Sequence, residues 1–161
     1  MAKAKSQFRK ARNSSIYRGM ERLLGDLMQI AERIPKHSYG LQAVGCRMIN
    51  EAIDAMAVTE YALNASDINQ RIAYIGSLIH SMTIIKSTCR QLYGYSRKDA
   101  KTASSTDGEI KLVNTPNYGR IISNAQYAGL LASFGKLSLE TGKWFKASQT
   151  IRLKGMGKAN V

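Results

Sequence analysis

The sequence predicts an all-α protein: an up-down-up-down four-helix bundle with one long connection, between its third and fourth helices. Three observations lead there. Apolar residues recur at helical spacing in four separate stretches. Only two prolines occur in 161 residues, and one of them stands between the first two stretches. Hydrophobic residues make up 44% of the chain, enough for one core at this length.

The first stretch is "SSIYRGMERLLGDLMQIAERI". Ser14 or Ser15 can cap it, and Ile16, Met20, Leu23, Leu24, Leu27, Met28 and Ala31 recur on one face. Arg18, Arg22, Asp26, Gln29 and Arg33 fall largely on the other. In "RIPKHSYGL", Pro35 has no N–H to give and pushes Ile34 out of the α region, so the helix stops there. The pattern predicts a tight reversal, with Tyr39 packing across the turn, Leu41 restarting the core stripe and Lys36 left at an end of the bundle.

The second helix is expected from Ser38 or Tyr39 to Ala65, with Leu41, Val44, Met48, Ala52, Ile53, Met56 and Leu63 inward. Its middle, "AIDAMAVTEYAL", is apolar nearly all the way round, which predicts burial on two faces and a second copy of the chain against one of them. The third helix opens at "SDINQ", where Ser66 or Asp67 offers a cap and Gln70 completes a capping-box spacing with Asp67. It carries Ile68, Ile72, Ile75, Leu78, Ile79, Met82, Ile85 and Leu92, and its expected end is near Gly94.

Residues 96–119 break the composition, being rich in Ser, Thr, Asp, Gly and Lys. They read as an inserted loop, either partly disordered or carrying a β-hairpin through "EIKLV". The last helix begins with Ser123-Asn124-Ala125-Gln126, a capping box, with Ile122 at the preceding hydrophobic position. Tyr127, Leu130, Leu131, Phe134, Leu137, Thr141, Trp144 and Phe145 form its core face. Gly129, Gly135 and Gly142 suggest close helix contacts. The chain thus divides into a basic N-terminal arm (1–13), the bundle (14–149) and a basic, flexible C-terminal tail (150–161).

Charge is the strongest compositional signal: 24 Lys and Arg against 11 Asp and Glu leave +13. From Ser14 to Ile85, six basic residues face seven acidic ones, so the excess lies elsewhere. Lys3, Lys5, Arg9, Lys10 and Arg12 form the arm; Lys86, Arg90, Arg97, Lys98 and Lys101 gather late in the third helix and after it; Lys143, Lys146, Arg152, Lys154 and Lys158 end the chain. A solubilising surface mixes both signs, whereas clusters of one sign point to a polyanion. These fifteen residues are the candidate nucleic-acid contacts, acting on phosphates rather than bases. In an up-down-up-down bundle the arm and tail share one pole, and the Lys86–Lys101 cluster occupies the other.

Other chemistry finds no support. No Glu-x-x-His pair, phosphate loop, nucleophile elbow or two-metal aspartate pair occurs. Cys46, Cys89, His37 and His80 lack metal-ligand spacing, and two cysteines fit a reducing compartment. His80 reads as a partly buried structural residue and Trp144 as core. No apolar run is long enough for a membrane span and no signal peptide is evident, so a cytoplasmic, non-enzymatic protein without a cofactor is expected.

"MERLLGDLMQIAERIPKHSYGLQAVGCRMINEAIDAM", "IISNAQYAGL" and "LSLETGKWFK" together resemble the Avd proteins, the accessory variability determinants of diversity-generating retroelements. That family lies within the four-helix-bundle proteins encoded in intervening sequences of 23S ribosomal RNA genes. The resemblance covers about residues 16–95 and 120–147. It implies a homopentameric, ring-like barrel that binds RNA and DNA and associates with the retroelement's reverse transcriptase in mutagenic cDNA synthesis. Residues 96–119 depart from it, as the family's connection there is usually short. A ribosomal intervening-sequence relative, or a nucleic-acid-binding scaffold without a polymerase, is the alternative.

Overall fold

The computed structural model describes residues 14–36, 38–102 and 121–158. They form four helices: α1 (Ser15–Glu32), α2 (Tyr39–Asn64), α3 (Ile68–Thr102) and α4 (Asn124–Lys158). No strand occurs among the described residues. Each helix packs against its neighbour in sequence, and α1 closes the bundle against α4. The α1–α4 pair is antiparallel: Arg33 Nη1 donates to Gln126 Oε1 (2.8 Å) at one end, and the Ser15 hydroxyl donates to Glu140 (3.0 Å) at the other. With short reversals between α1, α2 and α3, this gives the up-down-up-down arrangement.

Local chemistry sets the helix starts. The Ser14 side chain accepts from the Tyr17 N–H (3.4 Å), satisfying one of the donors a helix N-terminus leaves open. Asp67 accepts from the Asn69 and Gln70 N–H groups ahead of α3. At α4 the capping box forms in both directions: Gln126 N–H donates to Ser123 Oγ, and Ser123 N–H donates to Gln126 Oε1, each at 3.1 Å. Ile122 beside it is fully buried.

The reversal after α1 is built on Ile34 and Gln42. Arg33 and Ile34 N–H groups bond back to Ile30 and Ala31, tightening the last turn. Gln42 then donates its amide to the Ile34 carbonyl (3.1 Å) and to the Pro35 carbonyl (3.3 Å), which also accepts from the Ser38 N–H (3.1 Å). Ile34 is buried, and its Cδ1 occupies the place where a Cβ on Gly45 would lie. Tyr39 does not pack across this turn as expected. It is 88% exposed, because Ile34 already fills the space against α2.

The core runs through Ile16, Met20, Leu23, Leu27 and Ile30 of α1, Met48 and Ala52 of α2, Leu78, Ile85 and Leu92 of α3, and Leu130, Phe134 and Leu137 of α4. Trp144 packs against it from the side. Buried threonines are satisfied within their own helices: Thr59, Thr88 and Thr141 donate to the carbonyls of Ala55, Ile84 and Leu137. The Cys89 thiol donates to Met48 Sδ at 3.6 Å.

Several expected positions turn outward. Met28 is 52% exposed, and Ile53, Ile79 and Leu131 are also exposed. In α1 the buried residues are 16, 17, 20, 23, 27 and 30, and Met28 lies one residue off that stripe. His80 is exposed rather than partly buried, since Leu78, Ser81 and Met82 take the inward positions around it. A Cβ built on Gly129, Gly135 or Gly142 meets nothing within 4 Å, so the expected close contacts do not occur there within the chain. They fall instead at Gly19 and Gly45.

Both long helices outrun their expected ends. Gly94 does not terminate α3, which continues to Thr102, and α4 continues through residues 150–158, read from sequence as a flexible tail. A glycine costs only about 1 kcal/mol relative to alanine inside a helix, and no proline follows in either segment. Residues 96–102 of the expected loop are therefore helical, while its hairpin strand and the N-terminal arm lie outside the described residues. No described helix is long and apolar enough to cross a membrane.

Two stability predictions follow from the core. Leu27→Ala should cost roughly 2–5 kcal/mol by urea denaturation, through lost burial and the cavity left behind. Met28→Ala, one residue away on the exposed side, should stay within about 0.5 kcal/mol. Desolvation pushes the Cys89 thiol from 9.0 up to about 12. Below pH 9 both states hold the proton and this contribution is fully present. Between about 9 and 12 only the unfolded chain releases it, so stability should fall across that window, and Cys89→Ala should flatten the fall.

Candidate nucleic-acid interface

Of the sequence-predicted cations, those on the described helices fall toward two ends of the bundle. Lys86 and Arg90 lie one turn apart on the exposed side of α3. Arg90 precedes Tyr93 by one turn, and Tyr93 marks the level of the α4 start: its hydroxyl donates to Asn124 Oδ1 (2.7 Å), and its ring stacks on Tyr127 with centroids 4.2 Å apart. Past that level α3 continues to Thr102, about 13 Å further at the usual helical rise, and carries Arg97, Lys98 and Lys101 in its last turns. Lys36 is exposed in the α1–α2 reversal at this same pole.

At the other end, α1 begins beside Glu140, and α4 runs on to Lys158, about 27 Å beyond. Lys143, Lys146 and Lys154 are exposed on this stretch. Arg152 is different. It is half-buried, and its Nε is shielded from solvent with no hydrogen-bond partner among the described residues. Arg71, early in α3, has an Nε in the same condition, while its Nη2 donates to the Ala65 carbonyl (2.8 Å). Lys158 is the last residue of α4. Lys3, Lys5, Arg9, Lys10 and Arg12 lie outside the described residues. Among the described residues, exposed Lys86 and Arg90 lie toward one end of the bundle and exposed Lys143, Lys146 and Lys154 toward the other.

A third basic feature was not among the predicted site residues. Arg18, Arg22 and Lys136 line a groove between α1 and α4, with Glu140 as its acidic member. The i, i+4 spacing of Arg18 and Arg22 is visible in the sequence, but Lys136 joins them only through the α1–α4 pairing.

Among the described residues, no group of three or more His, Cys, Asp or Glu side chains is placed to hold a metal ion. Cys46 is exposed and Cys89 buried, and both are free thiols. No family model, no curated protein and no solved structure matches this chain.

Proposed function

We propose that this protein is a non-enzymatic, nucleic-acid-binding accessory subunit that works with the reverse transcriptase of a diversity-generating retroelement. The observation that carries the nucleic-acid part is the segregation of its charge. Exposed cations are gathered toward the end of α3 and along the second half of α4, in a chain of net charge +13. Lysine and arginine at exposed helical positions neutralise phosphates at little desolvation cost and without reading sequence. The subunit would hold template RNA or cDNA by its backbone and present it to the polymerase during mutagenic synthesis.

The polymerase partner and the pentameric ring rest on the resemblance to the Avd proteins. Exposed apolar side chains on α2, Ile53 at 50% and Tyr61 at 58%, support self-association. An apolar helix face is ordinarily covered by a partner.

If about eight cations meet phosphates, log K for duplex DNA should fall against log salt with a slope near −7, and near −6 for single strands. Fluorescence anisotropy across a salt series measures this, and a slope near zero would remove the electrostatic basis of the reading. For the polymerase part, adding the protein to a diversity-generating retroelement reverse transcriptase and its template RNA should raise the yield of cDNA. An unchanged yield, with nucleic-acid binding intact, would leave a binding scaffold without a polymerase role.

A further inference from the structure

The groove between α1 and α4 is a concave surface on the flank of the bundle, in the half nearest the start of α1. Arg18 and Arg22 stand one turn apart on its α1 wall, and Lys136 on its α4 wall. All three are exposed, and none forms an ion pair or side-chain hydrogen bond among the described residues. The carboxylate within the groove, Glu140, accepts a hydrogen bond from the Ser15 hydroxyl. Further along the same helix pair, toward α4's start, the lining changes to Asp26, Gln29 and Gln126. A separate surface depression between α1 and α2 carries no charged residue. The cationic character is therefore local to the half of the α1–α4 groove nearest the start of α1.

We infer that this groove seats the phosphate backbone of a nucleic acid along the flank of the bundle. The inference rests on the nucleic-acid reading above and assigns it a track that the two basic ends alone do not provide. Guanidinium groups present planar, paired donors that match phosphate oxygens, and a groove with low-dielectric walls strengthens the field of cations that line it. The track continues beyond the groove. At 100° per residue, Lys143 and Lys154 fall within about 20° of Lys136 on the same face of α4, and both are exposed. From Lys136 to Lys154 the line is about 27 Å long, the length over which one strand of duplex DNA places roughly eight phosphates. It leads from the flank to the pole where the C-terminal lysines lie.

The close approach of α1 and α4 makes the seat. A Cβ at Gly19 would stand 2.6 Å from Leu137 Cδ2, so the glycine lets the leucine close the floor while Arg18 and Arg22 hold the rim.

The test uses the full chain, a labelled mixed-sequence DNA duplex and fluorescence anisotropy over a salt series. The triple variant Arg18→Gln/Arg22→Gln/Lys136→Gln should bind every sequence more weakly and lower the salt slope by about 2.7, that is, 0.9 for each cation. If the wild type binds with a steep slope and the triple variant keeps it, the groove is wrong while the nucleic-acid reading stands. If the wild type does not bind, both fall. Should the triple variant fail to fold, Glu140→Gln decides the matter. That substitution keeps an acceptor for Ser15 but removes the groove's negative charge. Tighter binding supports the seat, and unchanged or weaker binding overturns it.

Discussion

How closely α1 can approach its two neighbours governs this bundle. α1 has 18 residues, against 26 in α2 and 35 in each of the others, so it has the least length over which to make contact. A glycine marks a close approach on each side: Ile34, just past the end of α1, fills the space beside Gly45 of α2, and Leu137 of α4 fills the space beside Gly19 of α1. With α1 held this tightly, Met20, Leu23, Leu27 and Ile30 are almost wholly removed from water and the four-sided core is complete. The reversal at Pro35 belongs to the same constraint. Gln42 satisfies the Ile34 carbonyl and shares the Pro35 carbonyl with the Ser38 N–H, so Ile34 can be buried without an unmatched polar group beneath it.

Polar chemistry inside the bundle is self-contained. The buried hydroxyls of Thr59, Thr88 and Thr141 return to carbonyls of their own helices, and the Cys89 thiol donates to the Met48 sulfur. None of these groups tethers one helix to another by a charged bond, and the core holds no ionised side chain among the described residues. Packing specifies the fold, and lysine and arginine positions on the surface are then free to vary without cost to the core. Where such freedom exists and the cations still gather in separate groups, a partner with distributed negative charge is the economical physical explanation.

Much of this was legible in the sequence, because helix signals are local. Pro35, the Asp67 cap and the Ser123–Gln126 capping box each declare themselves within four residues, and the structure forms every one of them. Errors appeared where the deciding information was not local. Met28 and Ile53 are as apolar as their buried neighbours, and only the angle at which each helix meets the others turns them outward. Tyr39 lost its expected place to Ile34, a residue on the other side of the turn. Gly94 looked like a terminator, but a single glycine costs too little to stop a helix already under way. The end clusters were readable as runs of one sign. The α1–α4 groove was not, because no periodicity within α1 or α4 says that Lys136 stands across from Arg22.

That last case bears on how charge should be read in a helical protein. Between Ser14 and Ile85 six basic and seven acidic residues nearly cancel, which suggests a neutral waist between basic ends. The sum is a property of the chain, whereas a ligand meets faces. Folding distributes the same residues around the helix axes, and charges that cancel in sequence can separate in space. Glu21, for example, is absent from the groove lined by Arg18 and Arg22, the residues three before it and one after it. Lys136 adds a third cation from a segment more than a hundred residues away. Screening limits the reach of a surface charge to about 8 Å at physiological salt, so the local face, rather than the net value of the segment, decides what an approaching phosphate experiences. On the proposed reading the flank is a phosphate-facing surface, and its track along α4 ends at the pole that carries the C-terminal lysines.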